Sequence, residues 1–368
     1  MPGVVAVAWS RLHGALHFRL RSAFGGMLSG YCQPVSIAFL LTERCNARCV
    51  HCDIWKNKGR ESAPETSEWR KVLRDLRRWL GPVSITFTGG EALLYPHTLE
   101  LVRYAVSLGF QIEVLSHGYW SDQSKIEMLA LANPWRITIS LDGIGATHSK
   151  IRGREDFFER TVETIDTLRQ TRDRKHLGYR IRVKTVIMEH NLDDLSAVAE
   201  FASRDHMEVF YQPIEQNYNT PTDLFWFQTS SNWPRDPNKA VTKILELIEL
   251  KRGGSHIANN EAQLGAMVRY FQDPAGLGSV TRAHLALVRK VPCAALTNLQ
   301  LQANGDVTVC ANRPAIGNIR ESPIRQLWKR RAWVWQQGCC LAAGAPRNAD
   351  SPLIGLDLPT ATGKPPVS

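Results

Sequence analysis

Cys45-Asn-Ala-Arg-Cys49-Val-His-Cys52 sets three thiols in one short loop. Thiolates at this density are soft ligands suited to zinc, copper or an iron–sulfur cluster. A cubane cluster held by protein alone needs four cysteines. Three in one tight loop leave one iron without a protein ligand, where a substrate or cofactor can bind. An open coordination position marks a reactive metal site, whereas a closed one is usually structural. The loop is therefore read as a place where chemistry is done.

Further residues with chemical potential follow at intervals. Gly89-Gly90-Glu91 and Ser116-His117-Gly118 each end an apolar run, and Asp142-Gly143 ends another. Period-2 alternation puts Thr138, Ser140 and Asp142 on one strand face and Ile137, Ile139 and Leu141 on the other. Glu189, His190 and Glu215 follow two later runs and are candidate catalytic bases, with nothing in the sequence to choose among them. His117 reads as a loop histidine with its hydrogen bonds satisfied, or as a proton donor.

These residues need a scaffold, and the chain supplies a repetitive one. Ser36–Leu41 reads as a strand running straight into the cysteine loop. Thr66–Leu80 reads as a helix with Trp69, Val72, Leu73, Leu76 and Leu80 on one face, stopped by Gly81-Pro82. Strands at Val83–Thr88, Gln111–Ser116, Arg136–Asp142, Ile181–Met188 and Met207–Ile214 alternate with helical stretches. One helix per connection implies parallel strands. Six such units predict an α/β fold, a partial (β/α)6 TIM-like barrel with a small C-terminal α+β auxiliary domain. In such barrels the chemistry sits at the carboxyl ends of the strands, and all the motifs above fall there.

With these residues in place, the segment 35–215 resembles the radical SAM superfamily. Cys45-x3-Cys49-x2-Cys52 has that family's signature spacing, and Gly-Gly-Glu ends the next strand as it does there. The resemblance implies that Cys45, Cys49 and Cys52 hold a 4Fe–4S cluster and that S-adenosylmethionine (SAM) chelates the fourth iron. It implies reductive cleavage of SAM to a 5′-deoxyadenosyl radical, which abstracts a substrate hydrogen. Gly89, Gly90 and Glu91 are then SAM-binding candidates, the glycines because backbone without side chains allows close approach. Ser116, Ser140 and Asp142 join them, and Arg152 resembles the arginine of the family's "h…rg" segment. His117 departs from the asparagine that relatives often carry.

A second cysteine set lies near the C-terminus. Cys293 and Cys310 enclose Gly305, and the arrangement resembles the opening of the SPASM and twitch extensions, which bind auxiliary iron–sulfur clusters. Only Cys339-Cys340 follows, so Cys293, Cys310, Cys339 and Cys340 are candidate ligands of one auxiliary cluster, with a zinc site or plain core residues as the alternatives. Leu299–Ala303, Asn304-Gly305 and Asp306–Val309 predict a hairpin, with Asn-Gly in a type I′ turn.

The expected division is an N-terminal basic amphipathic extension over 1–34, the core barrel over 35–215, a helical insert or linker over 216–290, the auxiliary domain over 291–341 and a disordered tail over 342–368. Eight cysteines in 368 residues are too few for a disulfide scaffold and suggest ligands in a reducing compartment. No apolar run reaches membrane-spanning length, so a cytoplasmic protein is expected. The formal charge of +10 is spread over helix faces, which argues against nucleic acid as the partner. The resemblance implies a peptide or small-molecule substrate and a reducing electron donor such as flavodoxin or ferredoxin. Peptide modification is the first reading; dehydrogenation of a small alcohol or sugar, and a degenerate non-catalytic iron–sulfur protein, are the others.

Overall fold

A computed structural model describes residues 4–22, 31–57, 62–204, 206–218, 220, 223, 225–274, 297–310 and 314–331. Cys293, Cys339, Cys340 and the segment 342–368 lie outside them. Six strands, β1 (Ser36–Leu40), β2 (Ser84–Thr88), β3 (Gln111–Ser116), β4 (Arg136–Ser140), β5 (Arg180–Ile187) and β6 (Glu208–Pro213), pair in parallel in chain order. That unreversed order is the topology of a barrel wall, here open rather than closed between its first and last strands. Helices α2 (Thr66–Leu80), α3 (Thr98–Ser107), α4 (Ser124–Leu131), α5 (Ala146–Arg152), α6 (Phe157–Arg174) and α7 (Leu195–Arg204) fill the connections.

Local chemistry explains the better-defined elements. The Glu65 and Glu68 side chains form a reciprocal capping box at the start of α2, and Gly81, at φ +78°, ends it. The apolar face of α2 is buried throughout, and Trp69 and Phe87 close on Phe39 of β1 with ring centroids 5.5 and 5.4 Å away. Helix α1 (Val4–Ser22) crosses the amino-terminal ends of the strands. There Trp9 donates to the Leu80 carbonyl at 2.8 Å, and Gln111 donates to the Ala6 carbonyl. No described helix is long and apolar enough to cross a membrane.

Both edges of the six-stranded wall are covered. On the β1 side, β7 (Asn298–Leu301) pairs in parallel with β1, and β8 (Asp306–Thr308) and β9 (Gly317–Asn318) continue antiparallel. The C-terminal hairpin therefore extends the barrel's own sheet. Its turn differs from the expected type I′, which needs positive φ at both central residues. Only Gly305 is left-handed, at φ +88°. Gln302 pairs with Asp306 across a three-residue loop, and the Gly305 N–H donates to the Gln302 carbonyl. Asn304 instead uses its side-chain oxygen to accept from the Asp306 N–H.

On the β6 side the cover is 256–259, which follows helix α8 (Pro237–Arg252) and precedes α9 (Glu261–Gln272). Val209 exchanges backbone hydrogen bonds with His256 and Ala258. The fully buried Asn259 amide replaces a strand, accepting from the Tyr211 N–H at 2.7 Å and donating to its carbonyl at 3.0 Å. Asn259→Ala would leave both backbone groups buried and unpartnered, at a cost of about 2–4 kcal/mol. Urea denaturation should show that loss, with Asn259→Asp intermediate.

Candidate active site

The cysteine loop leaves β1 at Leu41 and is fixed from three sides. The last turn of α5 receives it: Arg48 N–H donates to the Arg152 carbonyl and Val50 N–H to that of Ile151, both at 3.0 Å. The end of β2 supports it through Gly90 N–H to Thr42 carbonyl, 2.7 Å, and Glu91 N–H to Arg44 carbonyl, 2.9 Å. Residues after β6 reach back to it, with the Asn217 and Asn232 amides both donating to the Val50 carbonyl. The need for glycine at 89 and 90 is visible here. A Cβ on Gly89 would lie 2.3 Å from the Thr42 carbonyl oxygen, and one on Gly90 2.5 Å from that of Arg44. These glycines let the cysteine loop's own backbone pack on β2.

Cys45, Cys49 and Cys52 share one small apolar cluster with Ala47, Phe157 and Tyr119. Burial pushes all three thiols up, Cys45 to about 12. No three His, Cys, Asp or Glu side chains among the described residues converge on one metal ion. A cubane puts no such demand on them, because each thiolate binds a different iron.

Glu91 and His117 form the second part of the site. Glu91 is 1% exposed; its Oε1 accepts from the Leu93 N–H, and its Oε2 accepts from the His117 N–H at 2.8 Å and the Ser116 hydroxyl at 3.2 Å. Burial lifts its carboxyl to about 7. His117 Nδ1 accepts from the Tyr119 N–H. Its Nε2 must therefore carry the proton, which it directs at Asn46 Oδ1 (2.6 Å) and Glu91 Oε2 (3.3 Å). Burial holds the ring neutral, near 3. His117 is thus a satisfied histidine that ties Glu91 to the cysteine loop.

The third part is a buried ion pair. Arg152, the last residue of α5, meets Asp142 Oδ2 at 2.5 Å and donates to Cys49 Sγ at 3.5 Å. Asp142 is fully buried; burial opposes its charge, while Arg152 beside it holds its carboxyl below the usual range. Asp142 Oδ1 also accepts from the Val186 N–H. His148, which sequence reasoning missed, stands one helical turn before Arg152; its Nδ1 accepts from the Asp142 N–H, and burial keeps it neutral, near 3. The His148-x3-Arg152 spacing on one helix was the available signal.

The remaining candidates separate. Glu189 accepts from the Arg235 N–H at 2.8 Å and faces the segment after β6, and His190 is exposed. Ser140 ends β4 beside Lys184 of β5, and Glu215 follows the end of β6. Cys310 is buried in the C-terminal hairpin region. Burial raises Glu215 to about 7, with Lys184 opposing. An acid raised in the fold favours its proton there, so the unfolded chain gains relative stability as pH climbs from about 4.5 to 7. Glu215→Gln removes that loss. Its stability relative to wild type should rise by about 1–3 kcal/mol across that window, discounted for the interior's access to water. Urea titrations at pH 4.5 and 7.5 measure it.

The model of the Radical SAM superfamily matches residues 39–202. Those residues are a radical SAM domain. An AdoMet-dependent heme synthase of Methanosarcina barkeri is 26% identical over 315 residues, covering 80% of this chain and 82% of that protein. The sporulation killing factor maturation protein SkfB of Bacillus subtilis is 33% identical over 176 residues, which are 48% of this chain and 41% of SkfB. Against SkfB the match thus spans less than half of either chain. The crystal structure of Streptococcus suis SuiB bound to S-adenosylmethionine superposes with a TM-score of 0.60 at 15% identity, over 80% of this chain and 65% of that one. That likeness establishes the partial-barrel fold.

Proposed function

We propose that this protein is a radical SAM enzyme acting in peptide maturation, with Cys45, Cys49 and Cys52 as the ligands of a 4Fe–4S cluster. The observation that carries the reading is the gathering of three thiols at the strand ends, that of Cys49 buried and those of Cys45 and Cys52 half-buried, beside the Arg152–Asp142 pair and Glu91. The donor set fits the cluster: three thiols share one apolar pocket, and burial makes each thiolate costly without a bound cation. The buried His51 Nδ1 beside them carries no hydrogen bond among the described residues. When bound, the cluster and SAM supply reductive cleavage to a 5′-deoxyadenosyl radical.

The chain's own residues bind and orient. Arg152 sets positive charge beside Cys49 and is placed to receive a carboxylate. Glu91 Oε1 holds only the Leu93 N–H, which leaves it able to accept from an ammonium group. Ser116 and His117 hold the other carboxylate oxygen, so Glu91 cannot swing away. Phe157 and Tyr119 pack against the thiols. Cys310 with Cys293, Cys339 and Cys340 is proposed to hold an auxiliary cluster, and a reduced flavodoxin or ferredoxin to supply the electron.

Peptide maturation is favoured by SkfB, which is 33% identical over its matched 176 residues against 26% over 315 for the heme synthase. A second reading, a tetrapyrrole substrate, is favoured by the heme synthase, whose match spans most of both chains. Anaerobically reconstituted protein with SAM and dithionite should release 5′-deoxyadenosine. Deuterium passing into it from a labelled precursor peptide encoded nearby would support the first reading; deuterium from a labelled porphyrin would replace it with the second.

A further inference from the structure

Alternate residues of β3 to β6 face the interior of the partial barrel, and their charges form a layered pattern. At the floor every guanidinium has a carboxylate. Arg136 holds Glu113 through Nε and Nη2 at 2.9 and 2.8 Å, and Thr138 donates to the same carboxylate. Arg182 donates to Glu208 Oε2 through two nitrogens at 3.0 and 2.7 Å, and Arg180 to Oε1 at 3.1 Å. At the mouth, Arg152 and Asp142 are paired beneath the cysteine loop.

Between these layers the register sets Ser140, Lys184 and Phe210 side by side on β4, β5 and β6. Lys184 breaks the pattern. Among the described residues its ammonium makes neither an ion pair nor a hydrogen bond, and it faces Glu113, Glu215, Asp142 and Arg152 only at longer range. Two of those carboxylates are already committed to arginines. Glu215 likewise makes no hydrogen bond among the described residues. Lys184 is half-buried, and an ammonium partly withdrawn from bulk water without a direct partner is unfavourable, so an apolar side chain of similar length would fill the position at lower cost.

We propose that Lys184 anchors a carboxylate of the substrate inside the barrel, between the floor network and the cysteine loop. Phe210 offers an apolar wall beside it, and Glu215 a polar group opposite. The proposal rests on the reading of this barrel as the radical site and deepens it: the substrate presents an acid group to the interior. That acid is a side chain of a peptide or a propionate of a tetrapyrrole.

Binding to the anaerobically reconstituted protein with SAM separates these cases. The probes are acetyl-Ala-Glu-Ala-amide with its Gln counterpart, and coproporphyrin III with its tetramethyl ester. An acid probe should bind at least about tenfold more tightly than its neutral partner, and Lys184→Met should lose about 10–100-fold of that affinity. Lys184→Arg should recover most of it. Iron content and urea denaturation confirm that the variants are folded and loaded. The probe pair that shows the loss names the source. Equal binding of acid and neutral probes, equal affinity in wild type and Lys184→Met, or no binding of either acid probe would overturn the proposal. 5′-Deoxyadenosine release by the wild type is recorded alongside. Selective acid binding without release defeats the radical reading alone, and release without acid selectivity defeats only the anchor.

Discussion

Replacing Cys45, Cys49 and Cys52 together by alanine is expected to remove the 4Fe–4S absorbance and reduce 5′-deoxyadenosine release to the level without protein. In the proposed cluster each thiol would serve a different iron, so a single substitution should already lower iron content sharply. The native apo fold should tolerate the change. The loop is held chiefly by backbone hydrogen bonds to the Arg152 and Ile151 carbonyls and from the Gly90 and Glu91 N–H groups, none of which involves a thiol. Thermal melts of wild-type and variant apo protein should lie close together. A wild type that binds a full cluster yet releases no product would redirect the assignment to a substrate-gated or non-catalytic iron–sulfur protein.

The second large effect is expected at Arg152. Arg152→Met leaves the Asp142 carboxylate buried with no direct counter-charge, which costs about 3–5 kcal/mol. It also strips Cys49 of its hydrogen-bond donor. Pairing it with Asp142→Asn removes the stranded charge and should restore most of the stability without restoring SAM binding. Urea denaturation reads the first effect and SAM-induced change in the cluster's EPR spectrum the second. A loss below about 1 kcal/mol in Arg152→Met would show that water reaches Asp142.

The two effects mark what the sequence made legible. Local patterns carried the six parallel strands, whose starts and ends fall within about two residues of expectation, and the α2 face of Trp69, Val72, Leu73, Leu76 and Leu80. Spacing alone singled out the cysteine loop. Pairings across the chain were not legible. Arg152 and Asp142 each read as a ligand for something else, yet they hold each other. Gly89 and Gly90 suggested close approach of a ligand, and what the sequence did not show is that the Thr42 and Arg44 carbonyls occupy the places of their missing side chains. Asn259 substitutes for a strand from a segment with no strand pattern. Lys184 sits in an alternating strand where a lysine ordinarily marks the solvent face, and only the curvature of the wall turns that face inward.

The parallel pairing of β7 with β1 carries a consequence for how the molecule is made. Ser36 pairs with Asn298, so the strand feeding the cysteine loop gains its outer neighbour only after nearly all of the described chain has been synthesised. Until then β1 presents a row of free backbone donors and acceptors, the kind of edge on which chains join one another. Contacts this distant in sequence also form slowly. A ribosome stalled before residue 298 would hold an assembled β1–β6 wall with one sticky side, and during that interval the nascent protein is most exposed to aggregation.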